Sequence, residues 1–61
     1  MKIEFSTDNA AFYNDNSVVN YWARATEISR ILKRIIDEVN SGLISGPIID
    51  INGHTIGKWE L

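Results

Sequence analysis

Apolar residues recur every three or four positions between residues 18 and 39, which is the spacing that lines up side chains along one face of an α-helix. This seam consists of Val18, Tyr21, Ala25, Ile28, Leu32, Ile35 and Val39. A helix of roughly 24 residues would run about 36 Å, whereas typical strands reach about 17–20 Å. The pattern therefore predicts that strands of this chain cover only part of the helix and that a second copy covers the rest.

The first residues alternate between apolar and polar side chains, a pattern that predicts a half-buried strand over residues 1–6. Residues 7–16 are rich in Asn and Asp, which favour turns because their side chains bond to nearby backbone. This segment also contains apolar residues, and we expect Phe12 to anchor it against the core.

The helix itself is expected over about residues 17–41. Asn16 or Ser17 is the predicted N-cap, since either side chain can accept a hydrogen bond from a free amide of the first turn. Gly42 is the predicted residue after the helix, because glycine readily adopts the left-handed conformation that ends helices. The outward face is predicted to be charged, through Glu27, Arg30, Lys33, Arg34 and Asp37.

After a short link over residues 43–47, the chain predicts a β-hairpin over about residues 47–61, turning at Asp50-Ile51-Asn52-Gly53. Two registers are open. A two-residue turn would pair Ile49 with Ile56. A type I turn with Gly53 in a left-handed bulge would instead pair Ile48 with Ile56, and we favour it because Asp50 could then cap the turn.

The favoured register leaves Ile56 and Trp59 on opposite faces unless one more residue bulges out, and Gly57 suits that role. The bulge would place four residues on the core face, namely Ile48, Ile56, Trp59 and Leu61. The resulting order is strand, helix, hairpin. The predicted fold is a single-domain, two-layer α+β arrangement (β-α-β-β), with one long amphipathic helix on a three-stranded, mainly antiparallel sheet.

Composition narrows the functional classes. The chain has 61 residues, no cysteine, one histidine and a formal charge of −2. A domain this small needs a disulfide, a metal or a partner to supplement its core, and the first two are disfavoured. The sequence begins with no signal peptide and holds no apolar run of membrane-spanning length. We therefore expect a cytoplasmic protein that forms a homodimer and has no membrane partner.

No constellation of catalytic or cofactor-binding residues is evident, so the sequence predicts a protein that is not an enzyme. The lone His54 lies beside the turn glycine, where exposed polar residues are common. An oxygen-rich group could suggest a calcium site, but its spacing lacks the glycine and glutamate of an EF-hand loop. That group is Asp8, Asn9, Asn14, Asp15 and Asn16. We expect neither metal nor cofactor.

Two sets of surface residues are candidates for binding. The predicted interface set, for a second copy or another protein, is Val18, Tyr21, Trp22, Ala25, Ile28, Ile49 and Ile51. Aromatic residues at such positions often dominate binding energy. The alternative is a nucleic-acid face on the helix formed by Arg24, Arg30, Lys33 and Arg34. Acidic residues interrupt that face, which disfavours nucleic acid as the partner.

Three segments resemble small conserved proteins encoded by bacteriophages and prophages. They are Thr7-Asp8-Asn9-Ala10-Ala11-Phe12 after the first strand, Asn40-Ser41-Gly42 at the helix end, and the ending Asp50-x-Asn52-Gly53-x-x-Ile56-Gly57-x-Trp59-x-Leu61. The shared residues are turn, cap and core residues. The apolar helix start Ser17-Val18-Val19-Asn20-Tyr21-Trp22 departs from the proline and acidic residues expected in that family.

The resemblance implies a role in countering host defence. Short phage proteins of this size include the homodimeric inhibitor of the Hachiman defence system, which is similar in length and character. On this basis the expected partners are a second copy and a bacterial anti-phage defence component in the host cytoplasm. A nucleic-acid-binding regulator and a phage assembly or structural accessory protein are the alternatives.

Overall fold

The computed structural model describes residues 1–8 and 21–61. It contains β1 (Lys2–Phe5), α1 (Tyr21–Asn40), β2 (Ser45–Ile49) and β3 (Thr55–Glu60). The strands form one sheet in the order β1-β3-β2, and both pairings are antiparallel. The helix packs on one face of this sheet, so the predicted α+β fold is confirmed.

Strand β2 begins at Ser45, inside the stretch that the sequence suggested was a link. Pro47, which has no N–H to donate to a strand ladder, lies within this strand. Here β2 is an outer strand of the sheet, where proline is tolerated. The segment 7–16, with Phe12, and the predicted N-caps Asn16 and Ser17 fall largely or wholly outside the described residues.

Gly42 ends the helix as predicted. Its φ of 97° lies in the left-handed region. The Gly42 N–H donates to Val39 O at 3.1 Å and the Leu43 N–H donates to Glu38 O at 3.1 Å. These two bonds form a Schellman motif, which satisfies carbonyls that the end of the helix would leave without partners.

The hairpin turn has the geometry of the favoured register. Gly53, with a φ of 85°, donates its N–H to Asp50 O at 3.0 Å. The side chain of Asp50 caps the turn, since its Oδ1 accepts the amides of Asn52 and His54, both at 2.9 Å. Next to the turn, Ile49 lies opposite Thr55.

The predicted bulge is present, one residue earlier than expected. Ile49 pairs with Thr55 and Ile48 pairs with Gly57, so Ile56 is the extra residue on β3. The predicted pairing of Ile48 with Ile56 is therefore wrong, because the bulge places Gly57 opposite Ile48.

The bulge turns both Ile56 and Trp59 toward the helix. Within residues 1–8 and 21–61, the buried core is formed by Ile31, Ile35, Ile48 and Trp59. Phe5, Ile28, Val39 and Ile56 pack around them. Leu61 was predicted to join this core, but it lies beyond the end of β3 and is 60% exposed.

The helix is rotated relative to its apolar seam. Ile31, a flanking residue in the sequence pattern, is 2% exposed, whereas the seam residue Leu32 is 40% exposed. Glu27, expected on the outward face, is buried. The rotation turns Glu27 toward hydrogen-bond donors of the hairpin and leaves part of the seam open to solvent.

Candidate protein-binding surfaces

Polar contacts tie the helix to the β2 side of the sheet. Glu27 Oε2 accepts the Ile51 N–H at 2.9 Å, and Arg30 Nη2 donates to Ile49 O at 2.9 Å. Arg30 Nε also donates to Glu27 Oε1, so that a single ion pair clamps the helix to the hairpin. These contacts lie at the hairpin turn and the end of β2, away from β1.

A groove remains on the opposite side of the helix, and we name it the β1–α1 groove. Its volume is about 430 Å³, and it is lined by Met1, Ile3, Leu32, Ile35, Ile36, Val39 and Asn40. All but one of these residues are apolar. Met1 and Ile36 are 70% and 58% exposed. The groove is therefore the open half of the predicted seam, bordered by strand β1.

A second apolar surface, which we name the end patch, is formed by Leu43, Ile44 and Leu61. They are 48%, 71% and 60% exposed. The Leu61 N–H donates to Ile44 O at 3.0 Å, which brings the end of β3 against the residue that precedes β2. Within residues 1–8 and 21–61, the groove and the end patch contain every exposed large apolar side chain except Ile51. Such clustering is typical of surfaces that bind other proteins.

Trp59 is positioned by Glu38. The buried indole donates its Nε1–H to Glu38 Oε2 at 2.8 Å. Gly46 allows this contact, because a Cβ there would lie 3.0 Å from both the Glu38 oxygen and the indole nitrogen. Glu38 Oε1 in turn accepts from Arg34 Nε at 3.2 Å. This second clamp holds the C-terminal half of the helix on the sheet.

Asp50 holds the hairpin turn as a charged group. Burial alone would raise the pKa of its carboxyl, but the amides of His54 and Asn52 and the nearby His54 imidazole lower the pKa below its ordinary value of 3.8. The His54 Nδ1 atom lies 3.5 Å from Asp50 Oδ2, and the imidazole is largely exposed. The pair therefore serves the turn, and His54 has the surface position that the sequence predicted.

The depressed pKa predicts acid sensitivity. The folded state binds the Asp50 proton less readily than the unfolded state, so this carboxylate stabilises the fold above pH 3.8. That contribution is lost as the pH falls through the lower folded-state pKa. Asp50→Asn keeps one oxygen for the two amides, so its deficit against the native protein should be largest near pH 7 and shrink toward pH 3. Urea unfolding at both pH values checks this, and an equal deficit at both would contradict it.

The predicted interface residues are only partly described. Ala25 and Ile51 are exposed, while Ile28 and Ile49 are half-buried. Ile28 packs against the core. Val18 and the side chains of Tyr21 and Trp22 lie outside the described residues. The set therefore stays a prediction, while the larger described apolar surfaces lie at the opposite end of the helix.

The basic residues of the helix are mostly engaged within the chain. Arg24 Nη2 donates to Thr7 Oγ1 at 3.1 Å. Arg30 bonds to Glu27 and to the hairpin, and Arg34 bonds to Glu38. Lys33 is exposed. An array of guanidinium groups bound in this way favours a structural role over phosphate binding.

Other candidate chemistry adds little to this description. Asp8 is exposed and its N–H bonds to Ser6 Oγ, while the other residues of the oxygen-rich group lie outside the described segments. No three His, Asp or Glu side chains within residues 1–8 and 21–61 gather to form a metal site. The helix that is described is not long and apolar enough to cross a membrane.

Comparison with known proteins gives no further guide, since no protein family, curated protein or solved structure matches this chain.

The sequence pattern missed the two surfaces for different reasons. The groove arises from the rotation of the helix, which depends on the burial of Glu27. The end patch arises where Leu43 and Ile44 leave the helix and Leu61 follows the last strand. Its signal in the sequence is the apolar pair Leu43-Ile44 directly after the helix-ending Gly42, within the predicted link.

Proposed function

We propose that this chain is a phage-encoded, non-enzymatic protein that acts as a homodimer and inhibits a bacterial anti-phage defence component by binding to its surface. The observation that carries the binding role is that the described part of this small chain has two exposed apolar surfaces, the β1–α1 groove and the end patch. A dimer that also binds a target needs two such surfaces. The phage origin and the choice of a defence target are supported by the sequence resemblance.

In this proposal the end patch contacts the defence component. Ile44 is the most exposed large apolar residue of the described chain. Burial of Ile44 against a protein would remove apolar surface from water, which is the dominant favourable term in most associations. Replacing Ile44 with a charged residue should therefore weaken inhibition without disturbing the fold.

A plaque assay tests the proposal. The protein would be expressed in a strain that carries the Hachiman system and in the same strain without it, and both would be infected with a phage that the system restricts. The proposal predicts that the protein raises the efficiency of plating of the phage only in the strain that carries the defence system. Ile44→Glu should reduce that rise by about tenfold or more, because a charge buried in an interface costs more than 1.4 kcal/mol.

Thr55→Glu provides the matched control. It adds the same charge at another exposed position, next to the hairpin turn and away from the end patch. It should leave plating unchanged. If the native protein fails to raise plating in a panel of strains carrying different defence systems, the inhibitor proposal is wrong. If Ile44→Glu and Thr55→Glu behave alike, the end patch is not the contact surface.

A further inference from the structure

The two outer strands of the sheet differ in how well they can accept another strand. Strand β2 carries Pro47, which has no N–H and interrupts the row of donors along that edge. Strand β1 has no proline, and no other described strand pairs with its outer side. An edge of this kind is a template for pairing with another chain.

The peptide groups of Ile3 point away from the sheet. The Ser6 N–H donates to Ile56 O at 3.0 Å, so the peptide groups of Ser6 face β3. Peptide groups alternate in direction along a strand. Those of Glu4 and Lys2 therefore also face β3, while the N–H and C=O of Ile3 face outward.

Only one register of β1 with a second β1 suits both the hydrogen bonds and the charges. Two antiparallel copies must oppose outward-facing residues, so that Ile3 lies opposite a residue of the same parity. A register centred on Ile3 places Lys2 of each copy opposite Glu4 of the other. Shifting it by two residues brings either Lys2 opposite Lys2 or Glu4 opposite Glu4. Opposite charges stabilise cross-strand pairs and like charges destabilise them.

The two charged side chains are available for such pairing. Lys2 Nζ lies 3.3 Å from Glu4 Oε1 within one chain, and both side chains are more than half exposed. Both lie on the sheet face that is turned away from the helix, because Ile3, between them, lines the groove. Pairs across the copies would therefore form without disturbing the core.

The same register brings the two grooves together. A two-fold axis at Ile3, perpendicular to the sheet, would join the two sheets into one of six strands and keep both helices on the same side. Each groove lies between β1 and its own helix, so the apolar walls formed by Ile36 and Leu32 would face their counterparts across the axis. Met1 and Ile3 would form the floor.

We propose that a second copy of this chain pairs with the outer edge of β1 in an antiparallel register centred on Ile3 and covers the β1–α1 groove. The inference rests on the homodimer of the proposed function and names the surface where its two copies meet. None of the end-patch residues belongs to β1, so this strand pairing does not use them.

A mixing experiment with two charge variants tests this interface. Lys2→Glu alone places like charges opposite each other at both cross-copy pairs, and Glu4→Lys alone does the same with the opposite sign. The homodimer of each variant should have a dissociation constant roughly tenfold higher than that of the native protein. Mixed in equal amounts, the two should form heterodimers with an affinity close to that of the native protein, because every pair is again of opposite charge.

Sedimentation velocity over a range of concentrations measures all four samples. Mixing cannot repair a defect within one folded chain, so recovery in the mixture identifies the contact as one between copies. A native protein that stays monomeric at high micromolar concentration would overturn the inference and show that the short, lysine-bearing β1 edge is guarded against pairing. A native dimer that is unaffected by either variant would overturn it too.

A second variant gives an independent result. Ile3→Cys places one thiol per chain on the axis, in a protein that has no other cysteine. The paired Cα atoms would lie about 5.5 Å apart, within disulfide range, so mild oxidation should yield a covalent dimer. Thr55→Cys, at an exposed site far from the axis, should not. Equal dimer yields from the two variants would contradict the proposed register.

The interface and the proposed function can fail separately. If the charge variants weaken the dimer as predicted but the native protein never raises plating, the inhibitor proposal fails and the interface stands. If the native protein raises plating but sediments as a monomer, the interface fails and inhibition by a single chain stands.

Discussion

Gly57→Ala is expected to detach β1 from the sheet. A Cβ at Gly57 would lie 2.0 Å from Glu4 O and 2.5 Å from Phe5 Cα, and neither backbone atom can move without breaking the β1–β3 pairing. Forced overpacking typically costs about 1–3 kcal/mol, and a backbone clash falls at the upper end. The whole chain has a stability of roughly 3–9 kcal/mol, at about 0.05–0.15 kcal/mol per residue. The variant should therefore lose a large share of its stability and lack an ordered β1.

Gly42→Ala is the comparison for this result. A Cβ at Gly42 meets nothing within 4 Å, so its effect comes only from the left-handed backbone. It should cost about 1 kcal/mol. Urea unfolding followed by circular dichroism measures both variants. If Gly57→Ala were no less stable than Gly42→Ala, the result would contradict the close packing of β1 against Gly57.

Ile35→Ala is expected to lower the free energy of unfolding by about 3 kcal/mol, whereas the same change at the adjacent Ile36 should alter it by less than about 0.5 kcal/mol. Ile35 is 4% exposed and part of the core, while Ile36 is 58% exposed on the groove. The first change leaves a cavity among packed side chains. The second removes only solvent-facing atoms, and alanine is a good helix former.

The pair of variants reports on the rotation of the helix. Unfolding should be measured at the lowest protein concentration that gives a signal, so that association adds least to stability. Equal losses at Ile35 and Ile36 would indicate that both residues are buried in the monomer. A larger loss at Ile36 would indicate that the helix faces the sheet with its other side.

Local chemistry made the turn and the helix end predictable. Gly42 and Gly53 take positive φ values because few other residues do so readily, and Asp50 caps the turn because its side chain reaches amides two and four residues ahead. The need for a bulge followed from the alternation of the strand. Its position did not, because both Ile56 and Gly57 can supply the extra residue.

The orientation of the helix was not predictable from the apolar pattern. That pattern treats glutamates as outward-facing, but Glu27 and Glu38 point inward to accept bonds from Ile51 N–H and the Trp59 indole. Those donors lie 24 and 21 residues away along the chain. Only the packed fold reveals that two carboxylates satisfy them, and that the helix turns accordingly.

The predicted seam and the observed groove nevertheless agree that the sheet leaves part of the apolar helix surface uncovered. The seam indicated more apolar helix surface than the sheet could cover, and Leu32 and Ile36 are exposed on one side of the helix. The sequence pointed to the N-terminal half of the helix as the interface. The described apolar surface lies instead along the C-terminal half, beside β1.

We propose that the protein inhibits by occupying a surface and not by chemical modification. The most direct test is a titration of the purified protein against a fixed amount of the defence component identified by the plaque assay. We predict that inhibition saturates at a fixed molar ratio and does not increase with further incubation. It should be lost with Ile44→Glu. Inhibition by far less than one copy per target, increasing with time, would contradict inhibition by surface binding and indicate an enzyme.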